Sequence, residues 1–144
     1  MVGQQQALHT QTLAELAKGL LNAEFSSCEL VECLLSRIEE HDSSLNAFIS
    51  VMAEQALTDA AASDKARAKG EVGLLGGLPI VHKDIFCTKG ILTTCGSRML
   101  ENFISPYDAS VVEQLSSAGA VILGKTNMDE FAMGSSNETS YFGP

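Results

Sequence analysis

The stretch Gly119-Ala-Val-Ile-Leu-Gly-Lys-Thr126 decides how this chain folds. It fits the pattern G-x-x-x-x-G-K-[ST] of a phosphate-binding loop. Such a loop needs a strand, a glycine turn and then a helix beginning at the lysine, with backbone N–H groups free to hold phosphate oxygens. The surroundings point elsewhere. Upstream, "DASVVEQLSSAG" (residues 108–119) reads as a helix capped by Asp108 or Ser110 and stopped by Gly119. Between the glycines stand Ala120, Val121, Ile122 and Leu123. A run that apolar belongs inside a sheet, with its N–H groups committed to the ladder. The expectation is a core strand ending at Gly124, with Lys125 at its exposed end, and no nucleotide site.

Working outward, "LPIVHKD" (residues 78–84) is short, β-branched and reads as a buried strand. With the helix and the second strand after it, it makes a βαβ unit holding a parallel pair. "TKGILTTCGS" (residues 88–97) has the small, glycine-rich look of tight turns, and "TNMDEFAMGSS" (residues 126–136) starts another helical turn. Asp129 and Glu130 fall in its first turn, where the helix dipole favours acids. The N-terminal half reads helical. Thr12 with Glu15, and Ser26 with Glu29, form capping boxes. The second helix should run to about His41, and an Ala-rich third spans Met52 to Lys69 and stops at Gly70. Residues 10–70 are thus expected to be helical and 71–144 α/β, with no composition shift or repeat to mark a domain boundary.

The bulk numbers suit one globular domain: 144 residues, 45% hydrophobic and 19% charged. The net charge of −9 repels nucleic-acid backbones, so the chain alone is a poor binder of RNA or DNA. No run reaches the roughly 18 apolar residues of a membrane span. The N-terminal "MVGQQQALHTQT" lacks the basic and apolar regions of a secretory leader. Cys28, Cys33, Cys87 and Cys95 form no C-x-x-C pair, and His9, His41 and His82 share no metal spacing, so no metal site is expected. Four thiols without a leader suit a reducing cytoplasm. Met99, Met128 and Met133 read as core fillers, with Met133 a partial exception taken up below.

Lys83 closes the "PIVHK" strand. Alternation puts Ile80 and His82 on one face, and Val81 and Lys83 on the other, so that Lys83 points inward with Val81 and Asp84 points away. A free lysine titrates near 10.4, and holding it neutral at pH 7 costs roughly 4–5 kcal/mol at 1.36 kcal/mol per unit. Burial can remove most of that penalty and leave a general base. The plainer reading is a lysine whose stem packs and whose head meets Asp84 or another carboxylate. Residues and spacing alone leave both open.

"GLPIVHKDIFCTKGILTTCGS" (residues 77–97) and "YDASVVEQLSSAGAVILGKTNMDEFAMGSSNETSYFGP" (residues 107–144) resemble the amidase signature family. Within it, "GKTNMDEFAMGSS" is most similar to the glutaminase subunits of tRNA-dependent amidotransferases. The resemblance covers about residues 10 to 144. It implies an α/β amidase-signature fold: N-terminal helices followed by part of a mixed central sheet flanked by helices, all within a single domain. Lys83 falls where the family's catalytic lysine stands in its G-x-P-x-x-x-K-D motif. The resemblance implies a Ser–Ser–Lys relay acting on glutamine, with Met133, Gly134 and Ser135 as substrate contacts. It also implies a heterotrimer with B and C subunits. The B subunit would hold the tRNA and use ATP and Mg, with no cofactor on this chain.

One departure stands out. The family's two serines lie in a Gly/Ser-rich segment shortly after "FGP", and no G-G-S-S-G-G-S run occurs in these residues. Ser135 and Ser136 of "MGSS" are expected to line the pocket without acting as nucleophiles. The chain thus reads as the N-terminal portion of a longer enzyme, inactive alone and marginal or aggregation-prone in isolation. A stand-alone amidase acting on small amides and a non-catalytic interaction fragment are the alternatives.

Overall fold

A computed structural model describes residues 8–144. Most of the N-terminal stretch read for a leader lies outside them. The elements in chain order are α1 (Leu13–Leu21), α2 (Ser27–Leu45), β1 (Phe48–Val51), α3 (Ala53–Ala68), β2 (Pro79–Lys83), α4 (Ser110–Ser117) and β3 (Val121–Thr126). Short 3-10 turns occupy Arg98–Leu100 and Glu130–Ala132.

Both capping boxes form. The Glu15 N–H donates to Thr12 Oγ1 at 3.3 Å while the Thr12 N–H donates to Glu15 Oε2 at 2.7 Å. The Ser26 N–H reaches Glu29 Oε2 at 2.8 Å, and the Glu29 N–H returns to Ser26 Oγ at 3.1 Å. The second helix runs past His41 to Leu45. Gly70, at φ +76°, follows the last turn of α3 as expected of a left-handed stop.

The three strands form one sheet in the order β1-β3-β2. The β1–β3 pair is antiparallel, with Ser50 opposite Lys125 and Val51 opposite Gly124. Between β2 and β3, the Val121 N–H donates to the Leu78 carbonyl at 2.8 Å and the Asp84 N–H to the Thr126 carbonyl at 3.1 Å. Partners advance together along both strands, so that pair is parallel and the expected βαβ unit is present. Strand β1 has no counterpart in the sequence reading. At four residues, half buried at three of them, it is too short to show a period of two.

The chain packs as two compact units, each built from both halves of the sequence. The first takes in the described residues up to His41, Met52–Ile80 and Leu115–Leu123. Its core has two clusters: Leu16, Leu20, Leu30 and Leu78, and Val31, Ala56, Ala60, Val121 and Leu123. The second cluster needs alanines on α3, since only a methyl lets that helix lie close to its neighbours. Gly77, at φ +78°, is hemmed in by the Ser27 and Ser63 hydroxyls, each 2.8 Å from where a Cβ would stand. The Ser27 hydroxyl donates to the Gly77 carbonyl at 2.7 Å.

The second unit takes in Asp42–Val51, Val81–Gln114 and Gly124–Pro144. Gly124 permits the tight β1–β3 pairing, for a Cβ there would lie 2.4 Å from the Ser50 carbonyl oxygen. Met128 is buried, but Met99 is exposed and so is not the core filler expected. Among the described residues no helix is long and apolar enough to cross a membrane, and no cluster of His, Cys, Asp or Glu could hold a metal ion.

Candidate active site

All the candidate residues lie in the second unit. The opening motif resolves against a phosphate loop. β3 continues through Lys125 to Thr126, and the motif's lysine sits inside a strand rather than at the start of a helix. Lys125 is also not at an exposed strand end, as the sequence suggested. It is completely buried, with Nζ 3.1 Å from Asp84 Oδ1 and 3.0 Å from Thr93 Oγ1, and Asp84 is buried just as fully. The reason is pairing. An ammonium can be buried when a carboxylate and a hydroxyl replace its water shell.

The pair has its own supports. The Thr94 N–H donates to Asp84 Oδ2 at 2.7 Å and the Thr94 hydroxyl donates to the same oxygen. The Gly96 N–H donates to Thr94 Oγ1 at 3.1 Å. The Asp84 carbonyl accepts from the Cys95 N–H at 3.2 Å. Cys95 and Gly96 both take left-handed φ, 53° and 67°, which folds "TTCGS" tightly enough to present all these donors. At Gly96 a Cβ would come within 2.5 Å of the Met128 carbonyl oxygen.

Lys83 is at the end of β2 and is exposed, as is Val81 at 44%. Alternation holds as expected, but the buried face is the opposite one, bearing His82 and Asp84. The ion pair decides this. Asp84 must face Lys125, so Lys83 has to face the other way. His82 is held below the ordinary histidine value, chiefly by burial and then by the Lys125 cation, with Asp108 opposing weakly. It therefore stays neutral at neutral pH.

Met133, Gly134 and Ser135 lie exposed on the loop after β3. The helical turn expected there shrinks to Glu130–Ala132, with Phe131 and Ala132 in the left-handed region. Asp129 does not serve that turn by a side-chain cap. Its carboxylate accepts instead from the N–H groups of Ser136 at 3.1 Å, Asn137 at 2.8 Å and Thr139 at 3.1 Å, and from the Thr139 hydroxyl at 2.8 Å. These bonds hold its carboxyl below the usual value, the Asn137 N–H most strongly. Gly134 packs so close that a Cβ would sit 2.5 Å from the Asp129 carboxyl carbon.

The "TTCGS" turn links the two candidate regions. Beyond its bond to Asp84, it accepts at the Cys95 carbonyl from the Phe131 N–H (2.9 Å) and at the Gly96 carbonyl from the Tyr141 N–H (2.8 Å). Ser97 Oγ donates to Glu130 Oε1 at 2.6 Å. The strand end carrying Lys83 and the loop carrying Met133–Ser135 are thus tied to one support.

With this geometry in hand, likeness to known proteins is informative. The family model described as Amidase matches residues 29–144. The chain belongs to the amidase family. It is 64% identical over 137 residues to the glutamyl-tRNA(Gln) amidotransferase A subunit of Methylococcus capsulatus, a match covering 95% of this chain and 28% of that protein. The crystal structure of the Thermotoga maritima glutamyl-tRNA(Gln) amidotransferase A subunit superimposes with a TM-score of 0.75 at 36% identity, covering 95% of this chain and 27% of that one. The native peptide amidase of Stenotrophomonas maltophilia gives 0.79 at 35% identity, over 84% of this chain and 25% of that one. This amidase chain therefore spans a little over a quarter of the length of such relatives, and its α/β fold is the corresponding part of theirs.

Proposed function

We propose that this amidase chain supplies the lysine and part of the substrate pocket of a glutamine-hydrolysing subunit of a tRNA-dependent amidotransferase. The observation that carries the reading is the 64% identity to the A subunit of a glutamyl-tRNA(Gln) amidotransferase. It is supported by Lys83 standing free at a strand end whose next residue is anchored.

In this reading the neutral Lys83 amine takes the proton of a bridging serine. That serine takes the proton of a nucleophilic serine, whose oxygen bonds to the side-chain carbonyl carbon of glutamine. The C–N bond breaks, the relayed proton goes to the departing ammonia, and water then hydrolyses the ester to glutamate. Both serines come from outside these residues, and backbone N–H groups hold the oxyanion. Lys83 is exposed here, and the reading requires those same outside residues to cover it. Met133, Gly134 and Ser135 contact glutamine. The ammonia passes to a B subunit that activates the tRNA-bound acid with ATP and Mg, in a cytoplasmic heterotrimer with a C subunit. An acidic chain suits an assembly in which another subunit meets the tRNA.

The test grafts residues 8–144 in place of the matching stretch of the Methylococcus protein, assembled with its partners. Lys83→Met is expected to lower glutamine hydrolysis by at least about 10²-fold while ammonium still supports tRNA amidation. Full glutaminase activity in that variant overturns the reading. The likeness to a peptide amidase favours a second reading, a stand-alone amidase. That reading predicts that the grafted subunit hydrolyses varied small amides without partners.

A further inference from the structure

We infer that the buried Lys125–Asp84 pair is the positioning device for Lys83. This rests on the catalytic reading of Lys83 given above. Asp84 follows Lys83 directly and is fixed on every side. Its N–H donates to the Thr126 carbonyl, its carbonyl accepts from the Cys95 N–H, and its carboxylate takes Lys125 and both donors of Thr94. Lys125 comes from the central strand of the sheet and is braced by Thr93. The Phe86 N–H closes back on the Lys83 carbonyl at 3.0 Å, so the strand turns away immediately after the lysine. The backbone that follows the Lys83 Cα is therefore held in place while its side chain is exposed. A general base gains rate when its approach is fixed before the substrate arrives.

The pair's carboxylate is next to Lys83 in sequence, on the opposite face of the chain. Intact, the pair contributes a cation and an anion together. Titratable groups that feel the pair include His82 and Cys95, which have Asp108 and Cys87 respectively as neighbours, and none changes in the variants below. Asp84→Asn leaves the Lys125 cation unbalanced, which favours the neutral form of a neighbouring amine. Lys125→Met leaves the Asp84 anion unbalanced, which favours the charged form.

The experiment measures the pH profile of glutamine kcat/KM in the grafted, partner-assembled enzyme, where the acidic limb reports the base of the free enzyme. Asp84→Asn is expected to move that limb to lower pH and Lys125→Met to higher pH, each by about half a unit or more. Merely structural damage lowers the amplitude of both profiles without separating the limbs. Limbs that stay put, or move the same way, overturn the inference.

Because removing half of a buried pair can prevent folding, Thr93 provides a second arm. Thr93→Val keeps the shape and deletes the hydroxyl that holds Lys125. It should cut kcat about tenfold with KM within about twofold, and Thr93→Ser should restore it. An unchanged kcat in Thr93→Val overturns the proposal. If Lys83→Met itself keeps full turnover, the catalytic reading fails and this inference falls with it. If Lys83→Met is inactive while the Asp84, Lys125 and Thr93 variants keep normal rates and limbs, the positioning role alone fails.

Discussion

Lys125 shows how a single residue can defeat a linear reading. Its motif suggested a phosphate ligand, and its place at the end of an apolar run suggested an exposed strand terminus. Neither allowed for Asp84 and Thr93, far away in sequence, arriving beside it. Hydropathy scores a lysine by its free ammonium and has no term for a carboxylate supplied by another strand. The same omission reversed the facing of β2, because Asp84 and not Lys83 takes the buried side. The energetic consequence is testable. Losing one partner of a buried pair leaves an unpaired charge and costs about 3–5 kcal/mol, whereas losing both together costs much less than the sum. In the grafted subunit, hydrogen exchange of peptides covering residues 84–97 and 121–127 should rise sharply in Lys125→Met and in Asp84→Asn. The Asp84→Asn/Lys125→Met double variant should recover part of the protection. Strict additivity would show that the pair is not coupled.

At the scale of elements, legibility follows from whether a signal is local. The helix starts were readable because each capping box lies within four residues, and Gly70 and Gly119 are stops by their own backbone geometry. The βαβ order was readable from the alternation of periods. β1 was not, since its pairing with β3 is long-range and its four residues carry no period. Nor was the loop after β3, where a first-turn acid suggested a helix. Asp129 accepts from N–H groups ahead of it and winds the chain into a loop instead. That arrangement titrates. The Asp129 carboxyl is held below its ordinary value of 3.8, so its contribution is complete above that pH. It is lost as pH falls through the lower folded value. Exchange protection of the Ser136, Asn137 and Thr139 amides should thus persist at pH 5 and fade only once the pH is below 3.8, whereas Asp129→Asn should lack it throughout. Gly134→Ala forces a methyl against the same carboxyl, and should destabilise the loop by about 1–3 kcal/mol and raise KM for glutamine. Amide protection that is the same in Asp129→Asn as in the parent would remove Asp129 from this role.

For the whole molecule, the second unit leaves Val81, Ile85, Phe86, Tyr107, Phe131 and Met133 exposed, Met133 at 84%. Single exposed apolar residues are ordinary, but several of these come from the strand end, the following turn and the pocket loop that carry the candidate residues. The first unit also exposes Leu13, Leu21 and Leu74, but its buried apolar residues form two clusters among α1, α2 and α3. Stability should therefore be uneven, with the first unit holding its structure better than the second. Chemistry follows the same division. The relay proposed for Lys83 needs a nucleophile beside it, yet the nearest serines in the family motif, Ser135 and Ser136, belong to the pocket loop. The Ser136 hydroxyl is already engaged with Glu138 at 2.8 Å. The 144 residues alone are expected to release no ammonia from glutamine above the uncatalysed rate. They should also self-associate as concentration rises, with 1-anilinonaphthalene-8-sulfonate fluorescence above that of a typical folded domain. Sedimentation and an ammonia assay on one sample decide both points. A monomer with a single sharp melt would mean that the second unit covers its apolar residues unaided. Glutamine turnover abolished by Ser135→Ala would mean that the chain carries its own nucleophile, and the relay would have to be redrawn around that hydroxyl.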